Sequence, residues 1–292
     1  MRIRATVAAV SGALALSALA VPASQAADGH RDAPAAGKYG FSAQERTAAP
    51  KAGQRALGAK AANAVPTLGK VVVNGGKPIV VGSTNAKKVT IAITASSDSG
   101  IADASTILWF GDAIGDGSGY AFFQNEEAAT CKAAPANATT STCTLTVTVD
   151  SLELINTDAR TWKVGAAALA NDGEVVVKDA SGTVKVQRQS KVTVNAAPEP
   201  VKKGGTITVT GSLTRADWDK NKYVGFGTQS VVLQFRKKTS TAYTNVKGVK
   251  SSSTGALKTT VKATEDGYYR WNYLGIASTA PVTVAGDFVD VK

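Results

Sequence analysis

The stretch from Asp266 to Gly275 constrains the fold most tightly, because it places four aromatic residues within six positions. Side chains of a β-strand alternate between two faces with a period of two residues. One face of this stretch is aromatic throughout: Tyr269, Trp271 and Tyr273. The other face is mostly polar: Tyr268, Arg270 and Asn272. The pattern predicts a strand with one buried face, on which Tyr269 and Trp271 are core anchors.

Between residues 65 and 189, short runs of Val, Ile and Thr recur, separated by Gly, Asn and Ser. The run from Lys88 to Ser96 alternates apolar and polar residues, as a half-buried strand does. Trp162 opens another such run, a few residues after Asp158, and is a third candidate core anchor. Many short strands with no helical period between them indicate an antiparallel sandwich rather than a parallel sheet with crossover helices.

The same texture continues from residue 190 to residue 292, a length that suits one sandwich. Runs around Thr206, Val231 and Leu257 alternate apolar with polar side chains before the Tyr269 strand. The sequence therefore predicts an all-β fold. It consists of two tandem immunoglobulin-like antiparallel β-sandwiches, over residues 65–189 and 190–292.

Three stretches of the second predicted sandwich resemble the bacterial Ig-like modules of secreted actinobacterial proteins. They run from Ser190 to Gly211, from Leu233 to Lys238 and from Gly267 to Tyr273. The resemblance implies an Ig-like fold and an extracellular location, and some relatives carry a calcium-binding label. It also implies that the Asp266-Gly267 turn is a corner that an inward tyrosine, Tyr269, ties down.

The N-terminus predicts export. Two arginines precede an unbroken run of apolar and small residues, and small residues follow at a cleavage position after Ala26. We interpret residues 1–26 as a signal peptide, which makes the mature protein secreted or extracellular and leaves it without a transmembrane segment. Residues 27–64 are rich in Ala, Gly and Lys and poor in apolar bulk, which predicts a disordered tail.

Cysteine and histidine usage limits the chemistry. The chain has two cysteines, Cys131 and Cys143, which flank a stretch of small residues that we interpret as a loop. In an exported chain they predict a structural disulfide. The one histidine, His30, lies in the predicted tail, so serine-histidine catalytic triads, cysteine-histidine pairs and histidine-ligated zinc are excluded from the sandwiches. We expect no enzyme activity and no required cofactor.

Four acidic residues of the first sandwich are candidate calcium ligands: Asp98, Asp103, Asp112 and Asp116. They lie in Gly- and Ser-rich stretches that faintly resemble a calcium loop. Calcium takes six to eight oxygen ligands, and an EF-hand pattern would need acidic residues where Ile114 and Phe123 stand. The alternative is an ordinary Gly/Asp/Ser-rich turn between two strands. Both interpretations stay open on the sequence alone.

Positive charge is concentrated in the second sandwich. Residues 65–189 hold 10 Lys and Arg against 12 Asp and Glu, whereas residues 190–292 hold 15 against 7. We expect an anionic partner, such as a cell-wall polymer or another extracellular surface, to bind a patch of five basic residues: Lys202, Lys203, Arg236, Lys237 and Lys238. The alternative is that these side chains keep strand edges from pairing with other chains. We expect no nucleic-acid partner, because the aromatic residues are predicted to point inward and the chain is exported.

These observations favour a secreted, non-catalytic binding or structural protein that acts at or near the cell envelope. Two alternatives remain: a calcium-binding extracellular protein with metal in the acidic loops of the first sandwich, and a secreted enzyme inhibitor.

Overall fold

The computed structural model describes residues 64–114 and 117–292. The predicted signal peptide over 1–26, the predicted tail over 27–64 except its last residue, and Asp116 lie outside the described residues. The described residues all belong to the same compact unit. Within them, no helix has the length and apolar character needed to cross a membrane.

The first half of the described chain forms two sheets from nine strands. These are β1 (Thr67–Val73), β2 (Ile79–Val81), β3 (Ala86–Ser96), β4 (Ile101–Phe110), β5 (Tyr120–Phe123), β6 (Thr130–Ala134), β7 (Asn137–Asp150), β8 (Thr161–Ala170) and β9 (Val175–Arg188). Short 3-10 helices span Asn74–Gly76, Ser151–Glu153 and Asn156–Asp158. One sheet has the order β1-β3-β7-β6, and the other has the order β2-β9-β8-β4-β5.

The second half follows the same plan with ten strands. These are β10 (Ser190–Val192), β11 (Asn195–Ala197), β12 (Thr206–Asp217), β13 (Lys222–Gly225), β14 (Ser230–Lys237), β15 (Thr244–Lys250), β16 (Ala256–Lys262), β17 (Gly267–Tyr273), β18 (Val282–Thr283) and β19 (Asp287–Val289). In one sheet, β10, β11, β13 and β16 all pair with the long strand β12. The other sheet has the order β15-β14-β17-β18, and β19 also pairs with β17.

Each pair of sheets encloses its own hydrophobic core. In the first sandwich the core combines Ile91 and Leu145 from one sheet with Leu108 and Trp162 from the other. In the second, Ile207 and Leu257 face Leu233, Tyr269 and Trp271. Trp162 and Trp271 are fully buried, and Tyr269 is nearly so. Both indoles also donate hydrogen bonds to backbone carbonyls, which satisfies their one polar group in an apolar surrounding.

In both sandwiches the chain crosses from one sheet to the other near the start of the sandwich. β1 pairs antiparallel with β3, and after the turn at Asn74–Gly76 the chain continues as β2, which runs parallel to β9 in the opposite sheet. In the second sandwich, β10 and β11 pair with β12, and Val201 then forms a parallel bridge with Val291 near the end of the chain. The repeated switch indicates that the two halves share one architecture.

The prediction of an all-β, antiparallel Ig-like fold is confirmed. Several details differ from the sequence prediction. The stretch between the cysteines is a hairpin of β6 and β7 rather than a loop, because Lys132 and Ala133 pair with Thr142 and Ser141 across the ladder. The corner before β17 is tied by Asp266, whose carboxylate accepts the backbone N–H of Val291 at 2.9 Å. The Tyr269 ring packs on Phe235 instead, with 4.8 Å between centroids.

The hairpin of β12 and β13 joins the second sandwich to the first. Trp218, at the start of its turn, is 2% exposed. Together with Ala216 it belongs to the hydrophobic core of the first sandwich. Its indole nitrogen donates a hydrogen bond to the carbonyl oxygen of Gly82 at 2.7 Å. A side chain from one sandwich therefore completes the core of the other.

Polar contacts surround this junction. The Asn156 amide nitrogen donates to the carboxylates of Asp217 and Asp219, at 2.9 and 2.6 Å, and its oxygen accepts the backbone N–H of Trp218. Arg188 is buried, and its Nε donates to the Ala216 carbonyl at 2.6 Å. Burial, assisted by the charge of Arg215, lowers the pKa of Arg188 to about 10, so the guanidinium stays charged at neutral pH.

Candidate functional site

The three candidate calcium ligands that the structure describes, Asp98, Asp103 and Asp112, do not come together. Asp103 is buried in β4, where its carboxylate accepts the backbone N–H groups of Ala104 and Ala129 at 2.7 Å each. Asp98 precedes β4 and Asp112 follows it, and both are exposed. A strand of ten residues extends about 33 Å, so these two aspartates lie at opposite ends of β4. Among the described residues, no three acidic, histidine or cysteine side chains are grouped to hold a metal ion.

The predicted disulfide between Cys131 and Cys143 is confirmed. The two cysteines face each other directly across β6 and β7, with their Cα atoms 3.9 Å apart. β6 is the edge strand of its sheet. The bond therefore fastens an edge strand to the central part of the sandwich, which is a structural role.

The five predicted basic residues differ in how their charge is balanced. Lys237 lies 3.1 Å from the carboxylate of Glu265, and Lys238 lies 3.5 Å from that of Asp266. Lys202 and Lys203 are exposed in the turn after Val201. The charges of the two paired lysines are largely cancelled locally. Arg236 has no such carboxylate partner among the described residues. It belongs to a group of side chains that the sequence analysis did not identify.

Arg236 belongs to what we call the arginine–tyrosine face, on the outside of the sheet formed by β15, β14, β17 and β19. This face consists of Arg236, Tyr243, Tyr268, Arg270 and Phe288, all partly exposed. Strand alternation sets two of its members: Tyr268 and Arg270 point away from the core because Tyr269 and Trp271 point into it. Strand pairing adds Arg236 and Phe288, which lie directly opposite Tyr268 on the two neighbouring strands. Tyr243 precedes β15, and its ring lies against Arg270.

The cations and rings of this face are stacked. The guanidinium carbon of Arg236 lies 3.9 Å from the centroid of the Tyr268 ring, and that of Arg270 lies 3.6 Å from the Tyr243 ring. Tyr243 also lies 5.4 Å from Arg236, so one ring contacts both arginines. The Tyr268 and Phe288 rings are 5.2 Å apart. Each such cation–ring contact is worth roughly 0.5–1 kcal/mol at exposed sites.

Hydrogen bonds to neighbouring residues hold the two arginine side chains in place. Arg270 donates from Nε to the Gln234 side-chain oxygen at 2.9 Å, and Gln234 in turn donates to Asn245 at 2.9 Å. Arg236 donates from Nη1 to the Ser240 carbonyl at 2.7 Å. Hydrogen bonding to the Tyr243 side chain raises the pKa of Arg236 above its already high value. These hydrogen bonds hold both guanidinium groups in defined orientations.

The charges of the two arginines are not balanced by nearby acidic groups. In the described part of the chain, no carboxylate lies within 4.0 Å of either guanidinium group. Arg236 and Arg270 thus present two positive charges beside three aromatic rings. This arrangement can attract an anion by charge, orient it by hydrogen bonds and contact its apolar parts with the rings.

The expectation that the aromatic residues point inward does not hold on this face, nor for Phe123, which is exposed. Tyr243, Tyr268 and Phe288 lie on the outer face, because the alternation that buries Tyr269 exposes its neighbour. The exclusion of nucleic acid therefore rests on the predicted export of the chain alone. Arg270 and Tyr268 could be found from the alternation. Tyr243 and Phe288 could not, because only strand pairing brings them beside the arginines.

Comparisons with known proteins add a partial family match. Residues 80–168 match the model of a family of unknown function, DUF5707. The match covers less than half of the chain and lies entirely within the first sandwich, so it does not include the arginine–tyrosine face. No curated protein matches the chain.

Solved structures resemble the chain only distantly. The chain is similar to the D00-D0 domain of intimin (17% identity, TM-score 0.25, covering 75% of this chain and 99% of that one). It is also similar to the tandem Ig repeats of Dlar (13%, TM-score 0.20, covering 79% and 99%). A third is dimeric latent PorU from Porphyromonas gingivalis (13%, TM-score 0.28, covering 78%), of whose length the chain spans only 20%. At these TM-scores the similarities carry no argument about partners or activity.

Proposed function

We propose that this chain is a secreted, non-catalytic binding protein that attaches to an anionic polymer of the cell envelope through its arginine–tyrosine face. The observation that carries the proposal is the pair Arg236 and Arg270, two oriented cations that have no carboxylate partner among the described residues and lie among partly exposed rings. The excess of positive charge in residues 190–292 supports long-range attraction of such a partner.

The location is part of the proposal. The N-terminal sequence favours export, and the Cys131–Cys143 disulfide is typical of proteins that mature in an oxidising compartment. An exported binding protein meets the polymers of the envelope before it meets other partners. The first sandwich would then hold the binding sandwich in place through the Trp218 junction.

Two double variants that remove the same formal charge test the proposal. In one, Arg236→Gln and Arg270→Gln remove the unpaired cations; in the other, Lys237→Gln and Lys238→Gln remove cations that already have carboxylate partners. Wild-type protein and both variants are incubated with purified cell walls over a series of salt concentrations, and the bound fraction is measured.

We expect the arginine pair to weaken wall binding by about tenfold or more, because each charge-assisted hydrogen bond contributes about 1.5–3 kcal/mol. The lysine pair should change binding little. Binding of the wild type should fall as salt rises, since salt screens exposed charges. If both variants bind equally well, or lose binding equally, the face has no special role and the proposal is wrong.

A further inference from the structure

We infer that the arginine–tyrosine face recognises phosphate groups, and does so through the geometry of its guanidinium groups rather than through charge alone. This inference rests on the proposed function and specifies the chemical class of its ligand. The ligand would be a polymer that carries phosphate. A polymer whose anionic groups are carboxylates would bind more weakly at the same charge density.

Arg270 is held in a fixed orientation. Its guanidinium lies against the Tyr243 ring, so one flat side is covered, and its Nε is already bonded to Gln234. The described residues offer its two Nη groups no hydrogen-bond acceptor. A guanidinium donates only in its own plane, so the free Nη edge defines the direction from which an oxyanion must approach.

Further hydrogen-bond donors lie near Arg270, around the Tyr243 ring. The Arg236 guanidinium lies 5.4 Å from the centroid of the Tyr243 ring, which also covers Arg270 at 3.6 Å. The Tyr243 hydroxyl has a proton of its own to donate. Arg236, Arg270 and the Tyr243 hydroxyl therefore form one group of donors around a single ring.

Phosphate suits this group better than carboxylate does. A carboxylate is planar, and its two oxygens are matched by the fork of one arginine. The peripheral oxygens of a phosphate do not all lie in one plane with its phosphorus. Because Arg236 stacks on Tyr268 and Arg270 stacks on Tyr243, the two guanidinium groups belong to different stacks. A tetrahedral phosphate can accept hydrogen bonds from both guanidinium groups. A planar carboxylate needs only one of them to engage both of its oxygens.

Tyr243 acts as a positioning residue for Arg270, and its ring fits beside Gly286 because glycine has no side chain. A Cβ atom at Gly286 would lie 2.3 Å from the Tyr243 hydroxyl oxygen. It would also lie 2.8 Å from the Tyr268 Cβ. The substitution Gly286→Ala therefore displaces the tyrosines of this face while leaving every charge in place. If charge alone attracts the ligand, this substitution has no effect on binding. If geometry matters, it weakens binding.

The test measures the affinity of the full mature chain for two soluble polyanions of matched length, polyphosphate and polyglutamate, by isothermal titration calorimetry. The variants are Gly286→Ala and the double variant Arg236→Lys with Arg270→Lys, which keeps both charges but removes the forks. Circular dichroism confirms that each variant is folded. Vesicles of phosphatidylglycerol provide the same phosphate chemistry on a membrane, so their binding distinguishes a lipid source from a polymer source.

We expect the wild type to bind polyphosphate about tenfold or more tighter than polyglutamate, and both variants to lose most of that preference. Equal affinity for the two polymers, or full affinity in the lysine variant, would overturn the inference but leave the proposed function standing. The proposed function itself fails if the variant with glutamine at both arginine positions still binds normally. Tighter binding of single-stranded DNA than of polyphosphate would also overturn the inference, because it would assign the rings to base stacking.

Discussion

The indole nitrogen of Trp218 donates a hydrogen bond to the carbonyl oxygen of Gly82, across 2.7 Å, and so links the second sandwich to the first. The indole itself is 2% exposed and packs within the core of the first sandwich. The two sandwiches therefore share buried apolar surface. Such sharing couples their stabilities, since neither can unfold without exposing part of the other's core.

Replacing Trp218 with alanine should uncouple the sandwiches. We expect the wild type to unfold in one calorimetric transition and the Trp218→Ala variant to unfold in two, with a total loss of about 3–5 kcal/mol, as for other buried tryptophans. Trp218→Phe is the matched control: it keeps an aromatic ring in the core but removes the bond to Gly82, at a cost of about 1 kcal/mol or slightly more. Two separate transitions in the wild type would show that the junction does not couple the sandwiches.

Tyr273 should make the protein less stable at alkaline pH. Burial raises the pKa of Tyr273 to about 12, although the charge of Arg215 opposes this, whereas the ordinary value is about 10. Because the folded state holds this proton more tightly, the associated stability is complete below about pH 10. It is lost as the pH rises through about 12. Urea denaturation over this range measures the loss.

Tyr273→Phe should remove that loss. The Tyr273 hydroxyl is buried without a hydrogen-bond partner among the described residues. Its removal should therefore raise the free energy of unfolding at neutral pH by about 1 kcal/mol. A variant that is clearly less stable than the wild type at neutral pH would contradict this assignment.

The disulfide should stabilise the first sandwich. Cys131 and Cys143 are separated by 12 positions, and closing a loop of this size is worth about 3 kcal/mol in the chain-entropy model. Mass spectrometry of exported protein should find the two cysteines joined, and the double Cys→Ser variant should melt at a lower temperature. An unchanged melting temperature would mean that the edge strand β6 needs no fastening.

Tight packing around Trp271 should tolerate neither loss nor gain of volume. Trp271→Ala should cost about 3–5 kcal/mol. A Cβ atom on the neighbouring Gly211 would lie 2.1 Å from the Thr193 carbonyl oxygen and 2.8 Å from the Trp271 indole nitrogen, so Gly211→Ala should cost about 1–3 kcal/mol. Gly248→Ala serves as the control, since a Cβ there meets no atom within 4 Å. Chemical denaturation that ranks Gly248→Ala as the most harmful of the three would refute this packing.

Much of the fold could be predicted because its strands bury one face and expose the other. In β17 every second side chain is buried, so the alternation is visible in the sequence. β15 was missed because nearly all of its residues are exposed and no alternation remains. Trp218 was missed for a different reason: it lies in a polar turn, and the apolar surface that buries it comes from the other sandwich.

Only part of the arginine–tyrosine face could be predicted from the sequence, because the rest depends on contacts between distant residues. The sequence placed Arg270 and Tyr268 on the outer face of their strand, but it assigned the positive patch to Lys237 and Lys238 as well. Those two lysines meet Glu265 and Asp266 because β14 pairs with β17, and this pairing depends on tertiary structure. A charge count cannot separate balanced cations from unbalanced ones.

NMR of the tyrosines of the second sandwich shows directly whether a polyanion binds the arginine–tyrosine face. Tyr268 and Tyr269 are neighbours in sequence, but one lies on the outer face and the other in the core. With carbon-13-labelled tyrosine, resonances are assigned by single Tyr→Phe variants, and the protein is then titrated with polyphosphate. We predict that the ring signals of Tyr243 and Tyr268 shift, and that those of Tyr269 and Tyr273 stay in place. Shifts confined to Tyr120 or Tyr223, or none at all under conditions where the polymer binds, would contradict the account.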